Sequence, residues 1–235
     1  MQNMLVTGAN RGLGLEFVRQ LLSSEAHVFA GCRHPERAEE LQKLTVEHPG
    51  ELSVLRLDVT DESAIAAAVG NIQSQVDSLD LLINSAGVYP RGETTPCTVT
   101  VETLLYAFRL NSVAPLIVTQ HCLNLLRKGR NPKIVNISSK MGSLWWKEKE
   151  GGGDYSYCSS KAALNMLTRT LALDLHKEGI IAIVVNPGWV QTDMGGETAD
   201  LTPSQSVVGL LNVIRKLTME QTGRFFSWTG EEHPW

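Results

Sequence analysis

Met4-Leu5-Val6-Thr7-Gly8-Ala9-Asn10-Arg11-Gly12-Leu13-Gly14 is the stretch on which the fold turns. Its apolar start reads as a strand, its glycines as a tight turn, and residues 12–23 as a helix. Glycines Gly8, Gly12 and Gly14 let the backbone turn sharply and approach a pyrophosphate at the helix N-terminus. There the unpaired N–H groups and the helix dipole favour an anion. A lone glycine turn is equally a βα connection that binds nothing; the strand–turn–helix context favours binding.

Outward from this turn, short apolar runs alternate with longer helical patterns. Strands are expected at Met4–Val6, His27–Ala30, Leu52–Leu57, Leu81–Ile83, Lys133–Ile137, Ile180–Val185 and Arg224–Ser227. Most are continuously apolar, as strands buried on both faces require. Helices are expected near 12–23, 35–47, 61–75, 101–128, 155–178 and 203–217. In the last but one, Leu164, Leu167, Leu171 and Leu175 form a stripe at helical spacing, and Gly179 supplies a stop. This order predicts an α/β fold: a doubly wound, parallel, seven-stranded sheet (Rossmann-like) forming a single domain over 1–235. The Gly151-Gly152-Gly153 run and the 193–203 stretch read as loops.

The 235 residues carry a formal charge of −4 with acids and bases mixed along the chain. Nucleic-acid binding, which needs a basic face, is not expected. No secretory signal and no apolar run of membrane-spanning length is read, so the expected location is cytoplasmic, with no membrane partner. Cys32, Cys97, Cys122 and Cys158 lack ligand or CxxC spacing and read as thiols in a reducing compartment. The six histidines show no ligand spacing either, and no metal is expected.

A ribose-binding acid would stand at the end of the second strand in a user of NAD. Here the strand ends Ala30-Gly31-Cys32-Arg33, and Arg11 sits in the glycine turn. Two guanidiniums and no carboxylate suit a 2′-phosphate, so NADP(H) is the expected cofactor; solvated surface arginines are the alternative.

Tyr157-Cys158-Ser159-Ser160-Lys161 sets a phenol and an ammonium four residues apart on one helix face. A nearby cation stabilises phenolate and would lower its pKa from about 10. Tyr155 has Ser159 four residues on and cannot form such a pair. Alone, this spacing is common. It gains force because strand five ends at Ser138-Ser139, strand six at Asn186-Pro187-Gly188 and strand four at Asn84-Ser85-Ala86-Gly87. All three reach the C-terminal edge of the sheet, where open α/β folds bind ligands.

Together these motifs resemble the short-chain dehydrogenase/reductase family over essentially the whole chain. The segments Asn10-Arg11-Gly12-Leu13-Gly14 and Pro187–Gly196 are similar to C-factor and sniffer-like carbonyl reductases. The resemblance implies four catalytic residues. Ser139, rather than Ser138, would bond the substrate oxygen. Tyr157 would be the acid–base. Lys161 would hold the ribose and lower the tyrosine pKa, and Asn111 would perturb its helix and hold a relay water. It further implies that Asp58 and Val59 contact adenine and that Asn84, Ala86 and Gly87 line the cofactor. Val190 and Thr192 would lie near its carboxamide and phosphate, beside Pro187 and Gly188. Asn10 and Leu13 would join the glycine turn. Ser85 departs from the second asparagine of the usual NNAG, and the stretch from Ser139 to Tyr157 is longer than the family pattern.

The expected activity is hydride transfer from NADPH to an aldehyde, ketone or quinone, with Tyr157 as general acid. An NAD-dependent alcohol dehydrogenase and a non-catalytic NADP(H)-binding regulator are the alternatives. Met141, Trp145, Trp189 and Met194 are expected to wall an apolar substrate space suited to flat carbonyl compounds. Apolar residues on more than one face of helices 101–128 and 155–178 point to a homodimer, unless the monomer buries both faces.

Overall fold

The computed structural model describes residues 1–24 and 26–235, without the side chain of residue 150. Seven strands form one parallel sheet: β1 (Gln2–Thr7), β2 (Ala26–Cys32), β3 (Leu52–Arg56), β4 (Leu81–Asn84), β5 (Lys133–Ile137), β6 (Ile181–Asn186) and β7 (Phe225–Ser227). Their spatial order is β3-β2-β1-β4-β5-β6-β7. Connections from β1 wind one way to β3 and then the other way from β4, so a crevice opens between the C-terminal ends of β1 and β4. The expected strands are all present, shifted by a residue or two at their ends.

Helices cover both faces. On one lie α1 (Gly12–Leu22), α2 (Glu39–Glu47) and α8 (Pro203–Lys216), which bury Phe17, Leu41, Leu210 and Leu211 against Val6, Val28 and Val185. On the other, α3 (Glu62–Gln73), α4 (Val101–Phe108), α5 (Ala114–Leu126) and α7 (Tyr155–Leu175) bury Ile65, Ile72, Val118 and Leu126 against Leu5, Leu82 and Ile134. Every residue of β6 is buried, which explains its unbroken apolar sequence. Gly179 ends the α7 region with φ +72, the left-handed stop that glycine takes without strain.

One local expectation needs correction. The single helix expected over 101–128 is interrupted: Arg109–Val113 forms a π turn between α4 and α5. By length and composition alone Val101–Leu126 could cross a bilayer, an 18-residue window reaching a mean hydropathy of 1.3. In the fold it packs against the sheet layer, burying Ala107, Leu110, Val118 and Leu126. The stretch before Gly151, for which no element was expected, is partly helical. Leu144–Glu150 forms a helix, α6, because Ser143 caps it by accepting the Trp146 N–H at 3.3 Å.

Candidate active site

The glycine turn is built for close approach. Gly8 has φ +65, and a Cβ there would stand 2.8 Å from Ala86 Cα. A Cβ on Gly14 would stand 2.2 Å from the Gly8 carbonyl oxygen. Thr7 Oγ1 accepts the N–H groups of Ser85 and Ala86 at 3.1 and 3.2 Å, tying the ends of β1 and β4 together. No side chain caps the start of α1, so its first N–H groups are free to meet an anion.

A cleft of about 420 Å³ lies over this turn. Gly8, Asn10, Arg11, Gly12, Leu13 and Gly14 form its floor; Arg33, Asp58 and Val59 border one end, and Ala86, Gly87, Lys161, Pro187 and Thr192 the other. These residues fit a dinucleotide: a bare helix N-terminus for pyrophosphate, and a cation rather than an acid at the end of β2. Arg33 is exposed there. Arg11 is committed elsewhere, donating to Asp193 Oδ2 at 2.7 Å across the cleft. Asn84 does not line the cleft. It is buried behind it, donating to Asn136 Oδ1 at 2.8 Å, because its side chain points into the helix layer where Thr119 and Pro115 lie.

Tyr157 and Lys161 on α7 lie beside the end of β5, which Ser139 follows. Ser139 accepts the Met141 N–H at 3.1 Å and lines the same cleft as the Tyr157 phenol. Ser138 instead donates to buried Asn165 Oδ1 at 2.7 Å, so the two neighbouring serines serve different places. Lys161 Nζ donates to the Ile137 carbonyl at 2.7 Å and sits 5.8 Å from the centre of the Tyr157 ring.

Burial decides both ionisations. It pushes the Tyr157 phenol up to about 12, with the neighbouring Ser139 hydroxyl pulling the other way. It pushes the Lys161 ammonium down to about 8. The lysine was expected to lower the tyrosine pKa. In this structure burial is the largest influence on the phenol, and the ammonium is bonded to the Ile137 carbonyl.

Asn111 lies in the π turn with its amide fully used. Nδ2 donates to the Val88 carbonyl at 2.9 Å and Ser160 Oγ at 3.0 Å, while Oδ1 accepts the Val88 N–H at 2.8 Å. It therefore fastens the exit of β4 to α7. A π turn shifts backbone partners by one residue and often marks a functional site.

A second cleft of about 460 Å³ meets the first at Tyr157. Met141, Trp189 and Met194 line it, as do Gly188 and Val190, which border this cleft rather than the first. Trp145 does not. It stands on α6, edge-on to Trp146 at 4.8 Å, with Lys149 Nζ 3.4 Å from its ring centre. Helix α6 is held outward by the 231–235 segment: Trp145 N–H donates to Trp235 O at 3.2 Å, and Ser143 Oγ to Pro234 O at 2.8 Å. Tyr89 and Arg91 are among the lining residues that were not singled out from sequence. Tyr89 packs edge-on to Tyr157 at 4.8 Å, and Arg91 Nη2 donates to the carbonyls of Asp193 and Met194 at 3.3 and 3.1 Å. Neither belongs to a local motif; their nearness to the NxAG segment was the available signal.

The comparisons agree with this geometry. The family model for short chain dehydrogenases matches residues 2–202. C-signal of Myxococcus xanthus is 42% identical over 161 residues, covering 67% of this chain and 93% of that protein. The 1-hydroxy-2-glutathionyl-2-methyl-3-butene dehydrogenase of Rhodococcus sp. (strain AD45) is 31% identical over 229 residues, covering 96% of each. Among solved structures, the NADPH-bound carbonyl reductase from chicken fatty liver superposes with a TM-score of 0.93 at 39% identity, covering 100% of this chain and 99% of that one. Carbonyl reductase Sniffer of D. melanogaster gives 0.94 at 34% identity, covering 100% of both. With the family model matching residues 2–202 and the doubly wound sheet shared with these carbonyl reductases, the chain belongs to the short-chain dehydrogenase/reductase family of oxidoreductases.

Proposed function

We propose that this protein is an NADPH-dependent carbonyl reductase with Tyr157 as its general acid. The observation that carries the proposal is the position of Tyr157. It borders both clefts and lines the second together with Ser139, so a carbonyl in the second cleft would meet both hydroxyls. Bound in the first cleft, NADPH would supply the hydride. The glycine turn would hold its pyrophosphate, Arg33 its 2′-phosphate, and Lys161 its ribose hydroxyls.

The chain's own residues manage the oxygen and the proton. Ser139 and Tyr157 donate to the carbonyl oxygen, drawing electron density from its carbon. The phenolic O–H bond then breaks and an alcohol O–H bond forms. A phenol pushed up to about 12 by burial is present as the neutral, proton-bearing form at neutral pH, which is the form a reduction needs. The buried Lys161 ammonium stabilises the phenolate left behind until a proton from solvent restores it.

Met141, Trp189, Met194 and Tyr89 give the second cleft broad apolar walls, which suits quinones and aromatic carbonyls better than small charged keto acids. A homodimer is supported by exposed apolar residues on adjacent helices, Leu105 at 62% and Tyr106 at 46% on α4, Met166 at 67% and Leu173 at 66% on α7. We place the enzyme in the cytoplasm, acting on a diffusible substrate. Assaying quinones, aromatic and aliphatic aldehydes, α-diketones and keto acids with NADPH and NADH in parallel tests the activity. Oxidation of NADPH by the aromatic carbonyls or quinones is expected, and no oxidation with any carbonyl would refute it.

A further inference from the structure

Glu93 lies in the segment after β4 with only 4% of its surface exposed, yet no step of the proposed reaction uses it. Its surroundings explain a carboxylate there. Asp154 stands at the cap position of α7, where an aspartate ordinarily accepts first-turn N–H groups. It makes no such bond. Its backbone is left-handed at φ +53, and its Oδ1 instead accepts the Tyr89 hydroxyl at 2.6 Å.

Glu93 takes over the cap from outside the helix. One carboxylate oxygen accepts the Ser156 N–H at 2.7 Å, and the other accepts the Ser156 hydroxyl. A carboxylate at a helix N-terminus is also favoured by the helix dipole. The Glu93 carbonyl accepts the Asp154 N–H at 2.8 Å. Gly153 at φ +85 permits the close pass: a Cβ there would stand 3.0 Å from the same carbonyl oxygen. The fastening ends one residue before Tyr157, whose ring Tyr89 also meets edge-on at 4.8 Å.

We infer that Glu93 is a positioning residue for the reaction proposed above: it caps α7 in trans and, with Tyr89 bonded to Asp154, sets the reach of the Tyr157 phenol toward Ser139. The helix phase at residues 155–157 fixes where that phenol falls, and a misplacement of about an ångström can lower turnover up to about 100-fold. The cofactor turn and Arg33 lie on other elements, and the Lys161 ammonium, one turn further along α7, is held by the Ile137 carbonyl on β5, so cofactor binding does not depend on this cap.

The test compares Glu93→Ala with Glu93→Gln. The alanine variant should lose about 10- to 100-fold in kcat with the KM for NADPH nearly unchanged. The glutamine variant keeps an acceptor for the Ser156 N–H and an amide for its hydroxyl, and should recover most of the loss. Hydrogen exchange should speed up at amides 155–158 in Glu93→Ala and not at amides 12–15. Wild-type kcat in Glu93→Ala, equal losses in kcat and NADPH affinity, or glutamine no better than alanine would overturn the inference. Should Glu93→Ala fail to fold, Ser156→Ala removes one donor to the carboxylate. A smaller fall in kcat at unchanged NADPH KM supports the role, and an unaltered kcat refutes it. A wild-type enzyme inactive on every carbonyl would instead refute the reductase reading, whereas unchanged exchange at 155–158 refutes the cap on its own.

Discussion

Lys161 Nζ donates to the carbonyl of Ile137 at 2.7 Å, which leaves it 5.8 Å from the centre of the Tyr157 ring. The lysine is thus anchored to the end of β5, the strand that also delivers Ser139.

This anchoring sets a pH dependence. Burial lowers the lysine to about 8 and raises the tyrosine to about 12, so on raising the pH the lysine loses its proton first. A charged donor to the ribose then becomes a neutral one, which weakens that hydrogen bond and lowers NADPH affinity by about tenfold. The fall should begin near pH 8 in titrations of NADPH binding. In Lys161→Arg it should be absent up to pH 10, since arginine keeps its charge. The same fall in both proteins would assign it to another group.

Cofactor choice should rest on Arg33 more than on Arg11, which is held by Asp193. Arg33→Asp is expected to raise the KM for NADPH roughly 10- to 100-fold, the worth of a charge-assisted contact, with a much smaller change for NADH. Arg11→Ala should have the lesser effect. Steady-state kinetics with both cofactors decide it; equal changes for NADPH and NADH in Arg33→Asp would remove Arg33 from the phosphate site.

Trp189 and Trp145 now carry different expectations. Trp189 lines the second cleft, its indole N–H held by the Gly195 carbonyl at 2.8 Å. Trp189→Ala should raise the KM for aromatic carbonyls several-fold, consistent with loss of an aromatic wall, and leave the KM for NADPH unchanged. Trp145→Ala should leave both nearly unchanged. A larger effect at Trp145 than at Trp189 would mean that substrate reaches α6.

The paired state is read from mass. Light scattering at micromolar concentration should give twice the 25.8 kDa of one chain. Replacing Leu105 and Met166 by glutamate should return it to one chain, because charges would stand where apolar surface is to be covered. A wild-type monomer would contradict the pairing.

Much of the fold was legible because its signals are local. Strand ends, the glycine turn, Gly179 and the Tyr157–Lys161 spacing depend on neighbours within a few residues. What escaped depends on distant partners. Helix α6 lacks a clear apolar period, and the 231–235 segment fixes it through Pro234 and Trp235. Asn84 sits in a motif that the family resemblance assigns to the cofactor, yet its side chain turns to Asn136 on the neighbouring strand. On α7 the leucine stripe marked the helix, with Leu164 and Leu175 buried and Leu171 packed against the core. The buried face also takes Asn165 and Thr168, polar partners for Ser138 and Asn136. Glu93 and Tyr89 act across more than 60 residues of sequence, which no spacing rule reaches.

The most direct test of the central claim is the single-turnover rate of Tyr157→Phe, measured with NADPH already bound and an aromatic carbonyl added. The substitution removes one hydroxyl and keeps the ring that packs against Tyr89, so the variant should fold and bind NADPH as the wild type does. Loss of the proton donor should slow turnover by about 10²- to 10⁴-fold. A folded, NADPH-binding Tyr157→Phe enzyme that turns over at the wild-type rate would contradict the assignment of Tyr157 as the acid.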